Sequence, residues 1–146
     1  MDIVIEKEII NSKTNEKVGQ AILYDHDKEN DIICIDAYII DGKYNGQLAE
    51  RIIELLFESF ENLDCNKVLT KVPEDEYLKN KLWGCLRFVY EYILREHIKI
   101  GSKYKNLTYI SILKHEFNRF YLNENNIKRT IAVVCDECKD IWRCEN

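Results

Sequence analysis

Residues 31–60 read DIICIDAYIIDGKYNGQLAERIIELLFESF, an apolar strand that passes through a short glycine-containing turn directly into an amphipathic helix. The first N–H groups of such a helix have no partner within it and point out of its end, where an anion can satisfy them. Few other local arrangements grip a phosphate with backbone alone. Residues 32–40 carry apolar side chains on both faces, which marks a central strand rather than an edge. In the following segment Leu48, Ile52, Ile53, Leu55, Leu56 and Phe60 recur at helical spacing, with Glu50, Arg51, Glu54 and Glu58 between them. That pattern is a helix burying one face. Val68, Thr70 and Val72 then alternate as a short strand closed by Pro73. Strand, helix and strand in this order predict a parallel β-α-β unit with a right-handed connection.

On either side of this unit the chain reads as antiparallel sheet. Ile3, Ile5, Ile9 and Ile10 predict an opening strand, 11–16 a polar turn, 18–24 a second strand and 25–31 a charged connection. After the unit, 74–86 reads as a weakly amphipathic helix. Residues 88–100 and 107–113 read as a long hairpin with its tip at 99–105, and 117–122 as a short helix. The segment 131–135 is strand-like. The fold class is therefore α+β (α/β), with a mixed central sheet. We read 1–122 as one domain and 123–146 as a C-terminal extension with three cysteines.

Composition narrows the functions. With 146 residues the chain holds one ordinary domain and one core. Its formal charge of −5 disfavours general binding to nucleic acid or to anionic membrane, which reward a basic surface. No apolar run approaches the roughly 18 residues of a membrane span, and the acidic N-terminus has no signal-like stretch. A cytoplasmic protein is expected. Cys34, Cys65 and Cys85 lie singly among apolar residues, as reduced core thiols do. Cys135, Cys138 and Cys144 give a C-x-x-C pair and a third thiol, short of the tetrahedral set that zinc prefers. His115 or a second chain could complete it, but no spacing demands this, and no metal site is expected.

Two stretches resemble the GCN5-related N-acetyltransferases, in particular the branch that acetylates ribosomal proteins. Ala37, Tyr38, Ile39 and Ile40 match the end of that family's central strand, Tyr44, Asn45, Gly46, Gln47 and Leu48 its pyrophosphate loop, and Ala49 the start of its helix. Downstream, Leu86, Arg87, Phe88, Glu91, Tyr92, Leu94, Arg95, Glu96 and His97 match its L-G-F-x-x-E-G-x-L-R-E-H phrase. Lys103 and Tyr104 match the next turn, and Tyr109, Ser111, Ile112 and Leu113 the next strand. The chain departs from the pattern at Lys43, at Leu48, where a small residue is usual, and at Glu76, where an asparagine is common. It departs again at Trp83, where a catalytic tyrosine is frequent, since an indole cannot supply a proton as a phenol does. The first strand and two helices of the family are expected to be missing ahead of the opening strand, leaving sheet surface for a homodimer or partner subunit.

The resemblance implies acetyl-coenzyme A as cofactor, bound by Ala37 and Ile39 and with its pyrophosphate over Lys43, Tyr44, Asn45, Gly46, Gln47, Leu48 and Ala49. It also implies an oxyanion-binding backbone N–H near Asp36 to Tyr38. From the residues alone, Asp36 interrupts an apolar strand, so its carboxylate must be paired or open to a cleft. It is a candidate base or a structural hydrogen-bonding group. Tyr38, His97 and Glu91 are further acid–base candidates, His97 for its ordinary titration near neutrality. The aromatic side chains Tyr90, Tyr92, Tyr104 and Tyr109 suit sheet packing, a dimer face or acceptor contact. The expected activity is N-acetyl transfer by direct attack of an amine on a peptide, protein or small metabolite. The alternative is a noncatalytic acyl-coenzyme A-binding or assembly module.

Overall fold

The structure is a computed structural model that describes residues 1–138. The elements run β1 (Ile3–Ile10), β2 (Lys17–Asp27), β3 (Ile32–Ile39), α1 (Asn45–Phe57), β4 (Lys67–Pro73), α2 (Tyr77–Cys85), β5 (Val89–Ile100), β6 (Lys103–Leu113), α3 (Lys114–Phe120) and α4 (Glu124–Glu137). A 3-10 turn (Gly42–Tyr44) precedes α1 and a π-helical turn (Glu58–Asn62) follows it. The six strands form one sheet in the order β1-β2-β3-β4-β6-β5. Every neighbouring pair is antiparallel except β3 and β4, which are parallel. The predicted β-α-β unit thus sits at the centre of the sheet.

Register assigns the two faces. Ile9, Gly19 and Ile39 line up across the first three strands, as do Lys7, Ala21 and Ala37. On this side Ile33, Ile35, Ala37 and Ile39 of β3 are buried, because α1 packs on β1, β2 and β3. The other face carries Tyr24, Asp36, Tyr38, Lys71 and Tyr109, by the pairs Tyr24 with Cys34, Ile22 with Asp36 and Lys71 with Tyr109. It is more open. There Tyr92 stacks on Tyr109, ring centroids 4.8 Å apart, a cross-strand aromatic pair of the kind that holds sheets in register.

The helices close one core. Phe57 and Phe60, at the end of α1 and in the π-helical turn, meet Phe117 of α3 at 4.8 and 4.9 Å. Tyr121 stacks on Phe117 at 5.6 Å, and its hydroxyl donates to the Leu86 carbonyl at 2.5 Å. Burial raises the pKa of that phenol, since an apolar site disfavours phenolate.

The strand expected over 131–135 is instead part of α4. Its β-branched residues suggested strand, yet Ile127, Thr130, Ile131, Val134 and Cys138 fall on one helical face, with Val134 and Cys138 fully buried. The Asn123 side chain accepts from the Asn125 N–H at 2.9 Å and caps the helix. This part of the segment read as an extension packs against α1 and α2. Cys144 lies outside the described residues. The described cysteines are free thiols. Among the described residues no helix is long and apolar enough to cross a membrane.

The outer strand β5 is irregular. Its register with β6 shifts between Tyr90 and Tyr92 and again between Leu94 and Ile98, where Glu96 has φ of 46° and donates its N–H to Asn106 Oδ1 at 2.9 Å. Strand β2, by contrast, depends on close approach. A Cβ on Gly19 would meet the Tyr38 carbonyl oxygen at 2.4 Å, which no rotamer can relieve. Gly19→Ala is therefore expected to destabilise the fold by about 1–3 kcal/mol, the range of overpacking. A urea-unfolding midpoint equal to that of the unmodified chain would show that β2 and β3 part without cost.

Candidate active site

The site begins where a ladder ends. Strands β3 and β4 pair only through Ile32 with Lys67, Ile33 with Val68 and Cys34 with Leu69. Beyond Cys34 they separate, and a cleft of about 210 Å³ lies between them, lined by Asp36, Ala37, Lys71, Val72, Pro73, Glu76, Lys79, Leu82 and Trp83. Its lining comes from both sides of the sheet. Ala37, Val72, Leu82 and Trp83 contribute the buried, apolar part, and Asp36 and Lys71 project from the opposite face by the alternation of their strands.

Asp36 lies at the mouth of this cleft, partly open to solvent and also hydrogen-bonded. Its neighbour Ile35 is fully buried under the helices. Asp36 Oδ1 accepts the Ala37 N–H at 2.8 Å. Crowding in the cleft raises the carboxyl pKa above the ordinary aspartate value, against opposing contributions from that hydrogen bond and from Lys79, while Glu76 adds to the rise. Lys79 Nζ lies 3.2 Å from Glu76 Oε2, and Lys71 Nζ lies 5.4 Å from the Tyr109 ring centroid. Trp83 is 2% exposed and packs on Phe88 at 5.0 Å.

The other predicted positions divide. Tyr38 is 44% exposed on the same face as Asp36 but does not line the cleft. His97 is exposed on β5, with β6 between it and β4, so the structure does not bring it to Asp36. Glu91 is also on β5, where its Oε1 pairs with Lys67 Nζ at 3.0 Å. Ile39, Leu48 and Ala49 are core residues. The helix starts at Asn45 rather than Ala49, and this earlier start turns Leu48 and Ala49 inward.

The turn itself is closely held. The Asp41 side chain accepts the Lys43 N–H at 2.9 Å, and Lys43 Nζ sits 5.3 Å from the Tyr44 ring centroid. The Tyr44 hydroxyl accepts from Asn11 Nδ2 at 2.9 Å. Gln47 binds the backbone of Ile10, donating to its carbonyl at 3.1 Å and accepting its N–H at 3.4 Å. Gly46 faces α4, where an added Cβ would lie 3.3 Å from Cys135 Sγ. Asn45 is 1% exposed, and among the described residues neither its Oδ1 nor its Nδ2 has a partner. A buried amide in that state is costly unless something polar reaches it.

The sequence did not single out Lys71 or Lys79. Each is a solvent-type residue in an ordinary position, one on the polar side of an alternating strand and the other an i,i+3 partner of Glu76. Only the separation of the strands makes them neighbours of Asp36.

No protein-family model and no curated protein matches the sequence. Solved structures do match. A mutant of the spermidine N-acetyltransferase SpeG from Vibrio cholerae superposes with a TM-score of 0.69 at 20% identity, over 82% of this chain and 69% of that one. Further mutant forms of the same enzyme give 0.68 at 20% identity, over 78% and 69%. A protein described as an inferred acetyltransferase gives 0.72 at 18% identity, over 88% of this chain and 64% of that one. The chain has the fold of the GCN5-related N-acetyltransferases. In this chain the cleft opens where β3 and β4 stop pairing.

Asp36 also predicts a pH signature. Its folded-state pKa lies above the unfolded value of about 3.9, so the folded state favours the protonated acid, and ionisation at higher pH lowers stability. Asp36→Asn keeps the shape without the charge. It is expected to raise the melting temperature at neutral pH, with the gain vanishing as pH falls below the unfolded carboxylate range. A gain independent of pH would show that the charge is not its source.

Proposed function

We propose that the protein is an acetyl-coenzyme A-dependent N-acetyltransferase of the GCN5-related family that acts on an amine by direct attack. The observation that carries this reading is the Asp36–Ala37 pair at the point where β3 leaves β4. It puts a carboxylate of raised pKa and a cleft-lining backbone N–H side by side in a fold shared with acetyltransferases. The motif around Leu86 to His97 favours the ribosomal-protein branch. The solved neighbours named as spermidine acetyltransferases favour a small amine as acceptor.

The residues fit the cofactor in part. The cleft is of a size for an acyl thioester end, and the orphaned Asn45 amide at the start of α1 offers a donor beside the first helical N–H groups. Gly46 is taken up by α4 and Gln47 by β1, so Asn45, Lys43 and the helix end would carry the phosphates. When bound, the cofactor supplies an activated acyl group.

The chain's own residues do the rest. The Ala37 N–H can exchange Asp36 Oδ1 for a developing oxyanion, which backbone donors stabilise in a site shielded from water. That exchange releases the Asp36 carboxylate. A base of raised pKa is better matched to an amine proton at neutral pH than an ordinary aspartate. Lys71 and Lys79 supply positive potential for a departing thiolate, and Trp83 and Leu82 wall the apolar end. A direct attack suits the thiols, since the described cysteines Cys34 and Cys65 have pKa values raised by burial, Cys65 to about 11, and make poor nucleophiles.

The test is calorimetry with acetyl-coenzyme A followed by thiol release over a panel of polyamines, peptide N-termini and lysine side chains. Asp36→Asn is expected to keep cofactor affinity within a few-fold and to lose about 10²–10⁴ in turnover, the usual contribution of a general base. Binding without thiol release from any amine points to the noncatalytic module. Absence of binding overturns the proposal as a whole.

A further inference from the structure

Arg87 occupies a position that glycine usually fills. It follows α2 with φ of 74°, donates its N–H to the Gly84 carbonyl at 3.0 Å, and is followed by Phe88, whose N–H reaches the Trp83 carbonyl at 3.0 Å. These two bonds make a Schellman motif with a left-handed residue at its turn. Of the other non-glycine residues with positive φ, Asn15, Asp25, Asp31 and Asp64 are of types that tolerate it, and Glu96 sits at the β5 bulge. An arginine here strains the backbone, and such strain persists where the side chain has a use.

The guanidinium lies over the Phe120 ring, 4.1 Å from its centroid. Two surface grooves of about 360 and 330 Å³ meet on Gly84, Arg87 and Phe120. The first also contains Arg119 and Glu116, and the second Arg129 and Asn126. Half of the six arginines of a chain with net charge −5 therefore converge on one surface. Among the described residues none of the three pairs with a carboxylate. Arg129 Nη2 donates to Asn126 Oδ1 at 3.3 Å. The acid in the groove, Glu116, is engaged through Oε1 with the Leu113 N–H at 2.9 Å. A Cβ on Gly84 would meet nothing within 4 Å, so the floor between the grooves is open.

We infer that this surface binds a small-molecule phosphate ester, held by Arg87, Arg119 and Arg129. Guanidinium forks match phosphoryl oxygens bidentately and stay charged at any physiological pH. Two joined concavities of this size suit a small ligand more than a flat macromolecular face. The site lies across α2, α3 and the start of α4, lined by none of the residues of the Asp36 cleft other than through α2 itself. It stands independently of the acetyltransferase reading.

The probe is glucose 6-phosphate, a phosphate ester that shares no nucleotide or pyrophosphate with coenzyme A, titrated calorimetrically into the full chain at low salt. Arg87→Gly removes the guanidinium and relaxes the left-handed backbone. It is expected to weaken binding at least tenfold while the melting temperature holds or rises. Arg119→Gln with Arg129→Gln is expected to weaken binding similarly without changing the melting temperature, and it decides alone if the glycine variant proves less stable. Absence of affinity in the unmodified chain overturns the inference, as does affinity that survives the decisive variants. Binding of a phosphoserine peptide with no response to glucose 6-phosphate overturns the small-molecule assignment.

Discussion

The parallel pairing of β3 with β4 lasts for three residue pairs, from Ile32–Lys67 to Cys34–Leu69, and then stops. Most of the candidate site depends on that early end. Each strand is held on its other side by a long antiparallel neighbour, β2 for β3 and β6 for β4, so the gap between them does not propagate through the sheet. Two half-sheets share a short hinge of hydrogen bonds, and a wedge-shaped opening forms in the middle of a well-packed core. Backbone groups in that opening have lost their usual partners. The Ala37 N–H finds one in Asp36, which ties the end of the β3–β4 ladder to a carboxylate of raised pKa.

The strands were legible because their apolar residues alternate or run continuously, and Pro73 marks an end that the structure keeps. The parallel unit followed from element order alone. Helix α4 was not legible in the same way. Thr130, Ile131, Val133 and Val134 share β-branching, and strand preference outweighed a helical face that becomes visible only when Ile127 and Cys138 are counted with it. The cap at Asn123 was the missing signal.

For the site, Asp36 was readable as a carboxylate set into an apolar strand, because burial physics makes such a residue exceptional wherever it occurs. At the turn over 42–49, residue type did not show how many of its side chains are engaged in local structure. Tyr44 and Gln47 reach back to Asn11 and Ile10, Gly46 admits α4, and Leu48 is core. The orphaned Asn45 amide is a feature of burial and not of residue type. His97 belonged to a matched phrase, which lies on the outer strand β5, away from the Asp36 cleft.

The two shifts in the register of β5 bear on a different property of the molecule. An outer strand presents unpaired N–H and C=O groups along its free side, and a long regular one invites another chain to join it. In β5 the bulges twist that side out of line twice within its length, and Asn106 fixes the kink at Glu96 from within the sheet. At the opposite border β1 offers Glu6, Lys7 and Glu8, charges that would have to be desolvated in any strand-to-strand contact. The sheet is thereby protected at both margins from growing into a fibril, by kinking at one and by charge at the other.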